Sequence, residues 1–513
     1  MSDVPRDDPS RSASLATIPA PPYWPVILAF AAVKFLLHLY TSGSYGYFRD
    51  ELYFIACGRH LDWGYVDHPP LVALYARFGE LLGPSLRGFR FLAVVAGAMR
   101  IVLTGLLTAR LGGGRAAQAL ACTAVFLAPI YLGMDSILSM NAFEHLFWLA
   151  CILVVVEIAN GGSEKLWLLF GALAGLGLQN KHSMVFLGVA LVVAMLLTPM
   201  RRSLLRQWIY LGGALALLIF LPNLIWQIQH DFPTLELLRN VKESGKNVVL
   251  DPVSFLIQQG MMLNPFSAPL WLSGLAALFL SRRYRVLGWT YLIVLAVMIR
   301  LEAKDYYLAP VYPMLFAAGA VLVTRRRLAY AAVLGLIVIG GLISAPLVLP
   351  LFPPEQYLSY QRALGIKPQA TEVSHTSEMP QLFADQFGWE ETVRKVARYY
   401  HSLPPEERKK TAIFCGNYGE AGAIDFYGPK YGLPPAISGH QNYFLWGPRG
   451  YTGESVILVD DDPDPDYELW QSLTKVDDRF HPYAMPYENA PIFHGRGLKE
   501  PLPELWPKVK HWR

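Results

Sequence analysis

Residues 23–53 read YWPVILAFAAVKFLLHLYTSGSYGYFRDELY, and they join a long apolar stretch to two adjacent carboxylates. The part from Tyr23 to Tyr40 is apolar enough to cross a bilayer. Asp50 and Glu51 follow where the chain leaves that segment, and charge so close to a membrane is costly unless it has a function. The stretch therefore predicts a membrane helix followed by an acidic pair at the lipid surface, an arrangement that suits catalysis there.

The whole composition agrees with this stretch. Of the 513 residues, 53% are hydrophobic and 16% are charged, and the apolar residues occur in blocks. Such a composition predicts an α-helical multi-pass membrane protein. The formal net charge of +4 is small for this length, so no nucleic-acid partner is expected. The four cysteines show no CxxC spacing, which indicates neither a zinc site nor a disulfide framework.

Eleven apolar segments are candidate membrane spans. They cover residues 23–40, 88–109, 115–133, 138–158, 166–179, 182–199, 207–227, 265–281, 286–300, 306–323 and 328–350. Arginine and lysine concentrate in alternate connections between these segments. By the positive-inside rule, this alternation predicts a cytoplasmic amino terminus and an outer carboxyl terminus.

The topology divides the chain into three regions. Residues 1–22 are expected to be a disordered cytoplasmic tail, 23–350 the transmembrane domain, and 351–513 a soluble α/β domain on the outer side. The first outer loop, 41–87, belongs to the transmembrane domain in this division. Within the loop, residues 69–82 have apolar residues at helical spacing, which predicts a helix lying in the membrane interface.

Shorter elements are predicted in the other outer segments. A second interfacial helix is expected over residues 253–262. In the outer domain, two short apolar runs predict buried strands and two amphipathic runs predict helices. The strands are expected at 411–415 and 455–459, and the helices at 390–400 and 420–427.

The first candidate site is the start of the first outer loop, where Arg49, Asp50 and Glu51 are consecutive. One interpretation is that the carboxylates only stabilise the N-terminus of a loop helix through its dipole. The other is that one of them is a general base, because transfer to a hydroxyl or amine requires removal of the acceptor proton. Arg49 or Lys304 would be the cation that holds this carboxylate.

The second candidate site is Asp67 with His68, directly before Pro69 and Pro70. The prolines fix a rigid turn into the interfacial helix. Asp67 and His68 either pair and cap that helix or form an acceptor-side site. A metal site would require a further carboxylate, because two ligands are too few.

Three cations on the outer side form the third candidate site. Arg300 and Lys304 run against the charge bias of the loops, as does Lys181. Arg300 and Lys304 either pair with Glu302 and Asp305 or bind the phosphate head group of a lipid, for which a lysine charge is well suited. Lys181 is open to the same phosphate-binding interpretation.

The fourth candidate site is the run from Asp135 to His145, which begins in a short outer loop and enters a membrane span. Glu144 and His145 lie inside an apolar helix, where ionisable residues are functional candidates. A buried contact between the two side chains is the alternative. In the outer domain, the segments 416–419 and 438–443 are either acceptor contacts or ordinary turns.

Four runs of residues resemble one family. They are YGYFRDELYFIACGRHLDWGYVDHPPLVALYARFGE (45–80), LSMNAFEHLFWLACI (138–152), GLGLQNKHSMVF (175–186) and AKDYYLAPVYPMLFAAGA (303–320). Together they resemble the bacterial branch of the protein O-mannosyltransferase and lipid A aminoarabinose transferase superfamily, which consists of GT-C glycosyltransferases similar to glycosyltransferase families 39 and 83. The resemblance covers the membrane part of the chain, about 350 residues.

The resemblance implies an inverting enzyme that takes a sugar from a polyprenyl-phosphate carrier on the outer face of the bacterial inner membrane. It implies that the catalytic acidic pair of the family corresponds to Asp50 and Glu51, with Asp50 as the general base and the role of Glu51 left open. Lys304, Tyr306 and Tyr307 are expected near the donor phosphate, with Lys181 and Arg300 as further cations. The residues expected to support the acceptor or the site are Arg49, Asp67, His68, Asn141 and Glu144.

The chain also departs from the family pattern. Many relatives have Thr-Pro-Asp where this chain has Ser139-Met140-Asn141, which removes one carboxylate and leaves Glu144 as a possible substitute. The expected partners are a polyprenyl-phosphate-linked sugar, a cell-envelope acceptor and the lipid bilayer. No cofactor is required by this chemistry, and a divalent cation is compatible with it.

Two other classes of function are compatible with the sequence. A polyprenyl-phosphate or glycolipid transporter would also need many spans and polar residues in the membrane. Against it, paired inverted halves with broken helices in corresponding positions are not evident in the sequence. The third class is a non-catalytic scaffold that binds partners through the outer domain.

Overall fold

The fold is that of a computed structural model, which describes Leu15 and residues 18–370, 372–373, 377–460 and 467–513. Most of the tail expected over residues 1–22 lies outside the described residues. The chain forms two compact units. The helical unit comprises residues up to Ser42, Arg90–Leu224 and Val249–Leu351, and the mixed unit comprises Gly43–Phe89, Ile225–Val248 and Phe352–Arg513.

The chain up to residue 350 contains sixteen α-helices among the described residues. They are α1 (Trp24–Thr41), α2 (Arg49–Arg59), α3 (Leu71–Leu81), α4 (Leu86–Arg110), α5 (Arg115–Leu127), α6 (Pro129–Met134), α7 (Met140–Ala159), α8 (Leu166–Asn180), α9 (Met184–Leu196), α10 (Gln207–Gln229), α11 (Pro233–Glu243), α12 (Pro252–Met262), α13 (Ala268–Leu280), α14 (Arg285–Arg300), α15 (Tyr312–Val323) and α16 (Arg327–Val348). Short 3-10 helices cover Pro199–Leu205, Pro265–Ser267 and Asp305–Val311.

All eleven segments predicted as spans are helical, but fewer of them meet the criteria for crossing a membrane. Among the described residues, six helices are long and apolar enough, or up to eight if each of two bent pairs is one span. The predicted span 115–133 is one of those that do not form a single helix long enough to cross a membrane. It is divided into α5 and α6 at Pro129, which has no N–H group to continue the hydrogen-bond ladder of α5.

Glycines bring pairs of apolar helices into close contact in the helical unit. A Cβ on Gly274 of α13 would lie 1.9 Å from the carbonyl oxygen of Leu315, and one on Gly319 of α15 would lie 2.0 Å from that of Leu270. Small residues allow such backbone approach, and in a lipid environment the resulting van der Waals packing holds helices together. Leu270 and Leu315, one from each of these helices, belong to the hydrophobic core of this unit.

The described part of the chain after residue 350 contains further short helices and four strands. The α-helices are α17 (Pro354–Ala363), α18 (Gln381–Ala384), α19 (Trp389–Ser402), α20 (Pro405–Arg408), α21 (Tyr418–Tyr427), α22 (Gln441–Trp446) and α23 (Leu502–Leu505). The strands are β1 (Thr411–Cys415), β2 (Ser455–Val459), β3 (Trp470–Asp478) and β4 (Pro491–Leu498). Short 3-10 helices cover Gly428–Tyr431, Tyr467–Leu469, Pro486–Glu488 and Trp506–Val509.

The four strands form one sheet with the order β1-β2-β4-β3. β1 pairs in parallel with β2, with Thr411 opposite Ser455, and the other two pairings are antiparallel. A parallel pair requires a crossover connection, and α21 and α22 lie in it. The predicted small α/β domain is confirmed, including both predicted strands and both predicted helices within two residues.

Two segments of the predicted transmembrane domain 23–350 belong to the mixed unit instead. One of them is the first outer loop, which belongs to this unit together with the residues after 351. Its helix α2 lies against α21, where a Cβ on Gly422 would be 2.8 Å from the carbonyl carbon of Leu52. Residues 225–248 belong to the same unit, and the Thr234 hydroxyl donates to the carbonyl of Val66 at 2.9 Å.

Candidate active site

Helix α2 begins with the three residues of the first candidate site. The carboxylate of Glu51 accepts a hydrogen bond from the backbone N–H of Phe48 at 2.8 Å, which satisfies one of the N–H groups that a helix start leaves unpaired. Glu51 is fully buried. Asp50 also lies in the first turn, where negative charge is favoured by the helix dipole. The structure therefore gives Glu51 a capping role, while its catalytic role remains a prediction.

Asp50 has a different environment from its neighbour. Its side chain is 35% exposed, and its Oδ1 accepts a hydrogen bond from the hydroxyl of Tyr418 at 2.8 Å. The Nε of Arg49 lies 3.6 Å from the same oxygen. Asp50 is thus an oriented and partly accessible carboxylate, which is compatible with its predicted role as a general base.

Arg49 links the start of α2 to the region after α18. Its Nη1 donates to the hydroxyl of Tyr487 at 2.8 Å, and its Nε lies 3.8 Å from Oδ2 of Asp385. The backbone N–H of Arg49 also donates to the carbonyl of Asp385 at 3.0 Å. Burial raises the pKa of Asp385 to about 6, although the guanidinium of Arg49 acts in the opposite direction. Arg49 or Lys304 was predicted to be the cation that holds Asp50, and Arg49 lies 3.6 Å from that carboxylate.

Asp67 and His68 are held by aromatic residues of the mixed unit. Oδ1 of Asp67 accepts a hydrogen bond from the Tyr53 hydroxyl at 2.9 Å and lies 3.9 Å from Nε2 of His68. Nδ1 of the buried His68 lies 2.9 Å from the carbonyl of Pro69. Burial raises the pKa of Asp67, against the opposing effect of His68. Asp67 and His68 therefore lie within ion-pair distance, as one alternative predicted, but they do not cap the interfacial helix, because α3 has Pro70 at its N-cap and no side-chain capping bond.

A second polar cluster lies in the helical unit and contains five of the predicted site residues. Nζ of Lys181 donates to Oδ1 of Asn141 and to Oε2 of Glu144, each at 2.8 Å. The same ammonium lies 4.3 Å from the ring centroid of Tyr307 and 5.7 Å from that of Tyr306. Both aromatic contacts are within cation–π range. Segments far apart in sequence thus converge on one lysine.

Arg300 and Lys304 belong to the loop that leads into this cluster. Arg300 is the exposed last residue of α14, and Lys304 directly precedes the 3-10 helix Asp305–Val311 that carries both tyrosines. That loop is held by Gln259, whose Nε2 donates to the carbonyl of Asp305 at 3.1 Å.

The helical unit also contains a buried charge network around Asp135, whose partners Lys34 and Arg100 were not predicted. Arg100 donates to both oxygens of Asp135, at 3.0 and 2.8 Å, and Nζ of Lys34 lies 2.9 Å from Oδ2 of the same carboxylate. All three side chains are buried. Arg100 also donates to the carbonyl of Ala142 at 3.1 Å, at the start of α7. The signal in the sequence was a lysine and an arginine inside predicted spans.

Glu144 and His145 do not form the contact considered as an alternative to function. Glu144 pairs with Lys181, whereas the ring of His145 lies edge-on to Tyr131 at 5.3 Å. All four cysteines are buried and free. Within the described residues, no group of three or more histidine, cysteine, aspartate or glutamate side chains has a metal-binding arrangement.

Known proteins resemble this chain both in sequence and in fold. A family model described as dolichyl-phosphate-mannose-protein mannosyltransferase matches residues 67–226. Lipid A galacturonosyltransferase RgtD of Rhizobium johnstonii is 27% identical over 264 residues, which are 48% of this chain and 52% of that protein. The matching part therefore spans about half the length of this curated relative.

The fold is similar to that of ArnT from Cupriavidus metallidurans. The crystal structure of ArnT bound to undecaprenyl phosphate superposes with a TM-score of 0.62 and 15% identity, covering 91% of this chain and 97% of that one. The apo structure of ArnT gives the same TM-score and identity over 92% and 97% of the two chains. At this level of identity, the likeness shows the fold.

These similarities show an ArnT-like fold that has several helices apolar enough to cross a membrane and a small C-terminal sheet domain. The family model, the curated relative and the ArnT-like fold all support a similarity to the GT-C glycosyltransferase superfamily. The resemblance stated from the four sequence runs is confirmed. The residues matched by the family model include Asp67, Glu144 and Lys181, while Asp50 precedes them.

Proposed function

We propose that this protein transfers a sugar, with inversion, from a polyprenyl-phosphate carrier to a cell-envelope acceptor. The observation that carries the proposal is the partly exposed carboxylate of Asp50, which Tyr418 and Arg49 hold at the start of α2. The relatives support the class of substrates. ArnT was crystallised with undecaprenyl phosphate, and RgtD is a lipid A galacturonosyltransferase by name.

In this reaction, Asp50 removes the proton of the acceptor as the acceptor attacks the anomeric carbon. A single displacement at that carbon inverts its configuration, so one base is sufficient. Removing a correctly placed general base typically lowers the rate by 10²–10⁴-fold, on the order of 3–5 kcal/mol in the activation free energy. Glu51 remains a candidate for a second catalytic carboxylate, although its capping contact gives it another function.

The leaving group is a phosphate, which needs charge stabilisation more than it needs a proton. Lys181, Lys304 and Arg300 are the proposed cations, with Tyr306 and Tyr307 beside them. The contact of Lys181 with the ring of Tyr307 supports this assignment, because it keeps the ammonium next to the tyrosine loop. Glu144 and Asn141 orient the lysine.

The phosphate assignment is tested by comparing Lys181→Met with Glu144→Gln. Lys181→Met should weaken the use of the lipid-linked donor by about 10–100-fold in kcat/KM, because a charged contact to the phosphate is lost. Glu144→Gln leaves the ammonium of Lys181 in place, so kcat/KM for the donor should fall by less than about tenfold. A Lys181→Met enzyme with wild-type donor kinetics would remove Lys181 from the phosphate site.

The acceptor is proposed to be a lipid A-type glycolipid, following the printed activity of the curated relative. Other envelope glycans, lipids and secreted proteins are the alternatives, because specificity resides in the site and not in the fold. Mass spectrometry of the envelope glycans from a deletion strain tests this choice. Loss of a single sugar from lipid A would support the glycolipid, while an unchanged lipid A would redirect the search to the other glycans.

The central experiment is a transfer assay in proteoliposomes with a radiolabelled polyprenyl-phosphate sugar and a crude envelope acceptor fraction. Asp50→Asn should abolish most of the label transfer. Asp478→Asn is the matched control, because it removes an exposed carboxylate on the sheet of the same unit. Undiminished transfer by Asp50→Asn would overturn the assigned base, and carrier movement without transfer would favour the transporter.

The proposal also includes a location and an ion requirement. The protein is proposed to lie in the bacterial inner membrane with a cytoplasmic amino terminus and an outer C-terminal domain, as the charged loops predict.

Transfer is expected to continue in the presence of EDTA, because cations of the protein stabilise the phosphate. Loss of activity with EDTA and its return with a divalent metal would show that an ion shares this work.

A further inference from the structure

The two oxygens of Asp50 have different surroundings. The hydroxyl of Tyr418 and the Nε of Arg49 both approach Oδ1, at 2.8 and 3.6 Å. Within the described part of the chain, Oδ2 accepts no hydrogen bond, and the side chain is 35% exposed. One oxygen is therefore anchored, and the other is available to a ligand.

Tyr418 is itself held firmly enough to serve as an anchor. Its ring lies 4.8 Å from the ring of Tyr53 and 4.8 Å from that of His440, and the guanidinium of Arg49 is 5.3 Å from its centroid. Its backbone N–H donates to Nδ1 of His440 at 3.3 Å. These contacts fix the ring plane and hence the direction of the hydroxyl.

The backbone at the start of α21 positions Tyr418 beside α2. Asn417 caps α21, because its side-chain oxygen accepts from the N–H groups of Gly419 and Glu420 at 2.8 and 3.0 Å. The absence of a side chain at Gly419 is needed, since a Cβ there would lie 2.3 Å from Cγ of Arg49. Asn417, Tyr418 and Gly419 thus place a hydroxyl beside Asp50 from a position 368 residues away in sequence.

We propose that Tyr418 is a positioning residue for Asp50, which holds Oδ1 so that Oδ2 faces the acceptor. The inference rests on the proposed role of Asp50 as the base. In the transfer step, the acceptor O–H or N–H proton moves to Oδ2 as the acceptor atom bonds to the anomeric carbon. The bond from that carbon to the phosphate oxygen breaks, and the phosphate leaves with the electron pair.

The hydroxyl of Tyr418 remains a donor under physiological conditions. Burial raises its pKa well above the ordinary value, Arg49 acts in the opposite direction, and the negative charge of Asp50 raises it further. A hydrogen bond donated to a carboxylate is stronger than one between neutral groups. The charged form of Asp50 is therefore the form that Tyr418 stabilises.

The test is Tyr418→Phe, which keeps the ring and removes only the hydroxyl. We expect kcat to fall by about tenfold, the typical consequence of losing a hydrogen bond to a charged group, while the KM for the donor changes by less than about twofold. The acid limb of the pH–rate profile should move to higher pH, because the charged carboxylate loses a stabilising donor. The position of this limb does not depend on how much of the variant is folded.

The matched control is Tyr431→Phe. The hydroxyl of Tyr431 donates to Oε1 of Glu390 at 2.7 Å, so the control removes a similar tyrosine–carboxylate bond elsewhere in the same unit. It should keep the wild-type kcat and pH profile. The other ionisable groups near Asp50 and Tyr418 are unchanged in both variants, namely Arg49, Asp67, Glu372, Asp385, His440 and Tyr487.

The outcomes separate this inference from the proposed function. If Asp50→Asn abolishes transfer while Tyr418→Phe keeps both kcat and the pH profile, the positioning role of Tyr418 is overturned and the base assignment stands. If Asp50→Asn transfers sugar at the wild-type rate, the base assignment fails first. A lower kcat together with a shifted acid limb supports the inference.

Discussion

Asp135 and Asp50 are both carboxylates that contact an arginine, but they lie in contrasting environments. Asp135, in the helical unit, is fully buried and contacts both Arg100 and Lys34. Asp50, in the mixed unit, has one oxygen held by Tyr418 and Arg49 and is about one-third exposed. A carboxylate whose oxygens are both engaged by cations supports structure, whereas one that keeps an accessible oxygen can exchange a proton.

The largest effect is expected from Asp135→Asn, which leaves Lys34 and Arg100 buried without a counter-charge. Removing one partner of a buried ion pair typically costs about 3–5 kcal/mol of folding free energy, so the variant should unfold far below the wild-type temperature. The measurement is thermal unfolding of the purified protein in detergent. Asp50→Asn should instead keep its unfolding temperature and lose activity. An equal loss of stability in the two variants would break the comparison.

Asp385 lies between these two cases, because it is buried but its nearest cation, Arg49, is 3.8 Å away. Its pKa of about 6 in the folded protein exceeds the ordinary value of 3.8, so the folded state binds this proton more tightly than the unfolded state. The protonated carboxyl of Asp385 therefore adds to the free energy of unfolding below about pH 4. This stabilisation is lost as the pH rises through about 6, and the free energy of unfolding then falls by on the order of 3 kcal/mol.

Asp385→Asn should remove this component of the pH dependence. Relative to the wild type, the variant should gain unfolding temperature from about pH 4 to about pH 6 and change little above that. Scans at several pH values in that range measure the difference, with Asp478→Asn as an exposed control. A constant difference in unfolding temperature between the variant and the wild type would mean that Asp385 is charged at every pH in this range.

Two glycines of α21, Gly422 and Gly419, separate effects on stability from effects on activity. A Cβ on Gly422 would meet the backbone of Leu52, which cannot easily move, so Gly422→Ala should destabilise the protein by about 1–3 kcal/mol. A Cβ on Gly419 would meet the flexible side chain of Arg49, so Gly419→Ala should cost less stability but more activity. Unfolding temperatures and transfer rates measured on both variants decide whether this division holds.

The smallest effect is expected from Glu51→Gln. The amide oxygen can still accept the N–H of Phe48, so the helix cap should survive with a loss below about 1 kcal/mol. Transfer should stay within about fivefold of the wild type. A loss as large as that of Asp50→Asn would restore Glu51 as a second catalytic carboxylate.

Much of the helical unit could be predicted from the sequence, because its signal is local. Runs of apolar residues identify each predicted span, and β1 and β2 were predicted for the same reason, since both are buried apolar runs. β3 and β4 were missed. The sequence of β3 is WQSLTKVDD, with many exposed polar residues, and β4 contains a histidine, an arginine and two glycines that interrupt its apolar pattern.

The site was predicted only where residue types themselves were unusual. Asp50, Lys181 and Glu144 are charged residues in or beside apolar segments, and each has the polar contacts expected of such a group. The residues that contact these side chains were harder to predict, because they come from distant positions in the sequence. Lys34 and Asp135 are about 100 residues apart, and Tyr418 resembles an ordinary turn residue until α21 packs against α2.

The mixed unit is assembled from three separate stretches of chain, and this has a consequence for biosynthesis. Asp50 leaves the ribosome early, whereas Tyr418 follows 368 residues later. At ordinary rates of elongation, roughly 20–70 s pass between the two. During membrane insertion the nascent carboxylate therefore has Arg49 beside it but not Tyr418, and a prematurely terminated chain would carry Asp50 without the tyrosine that orients it.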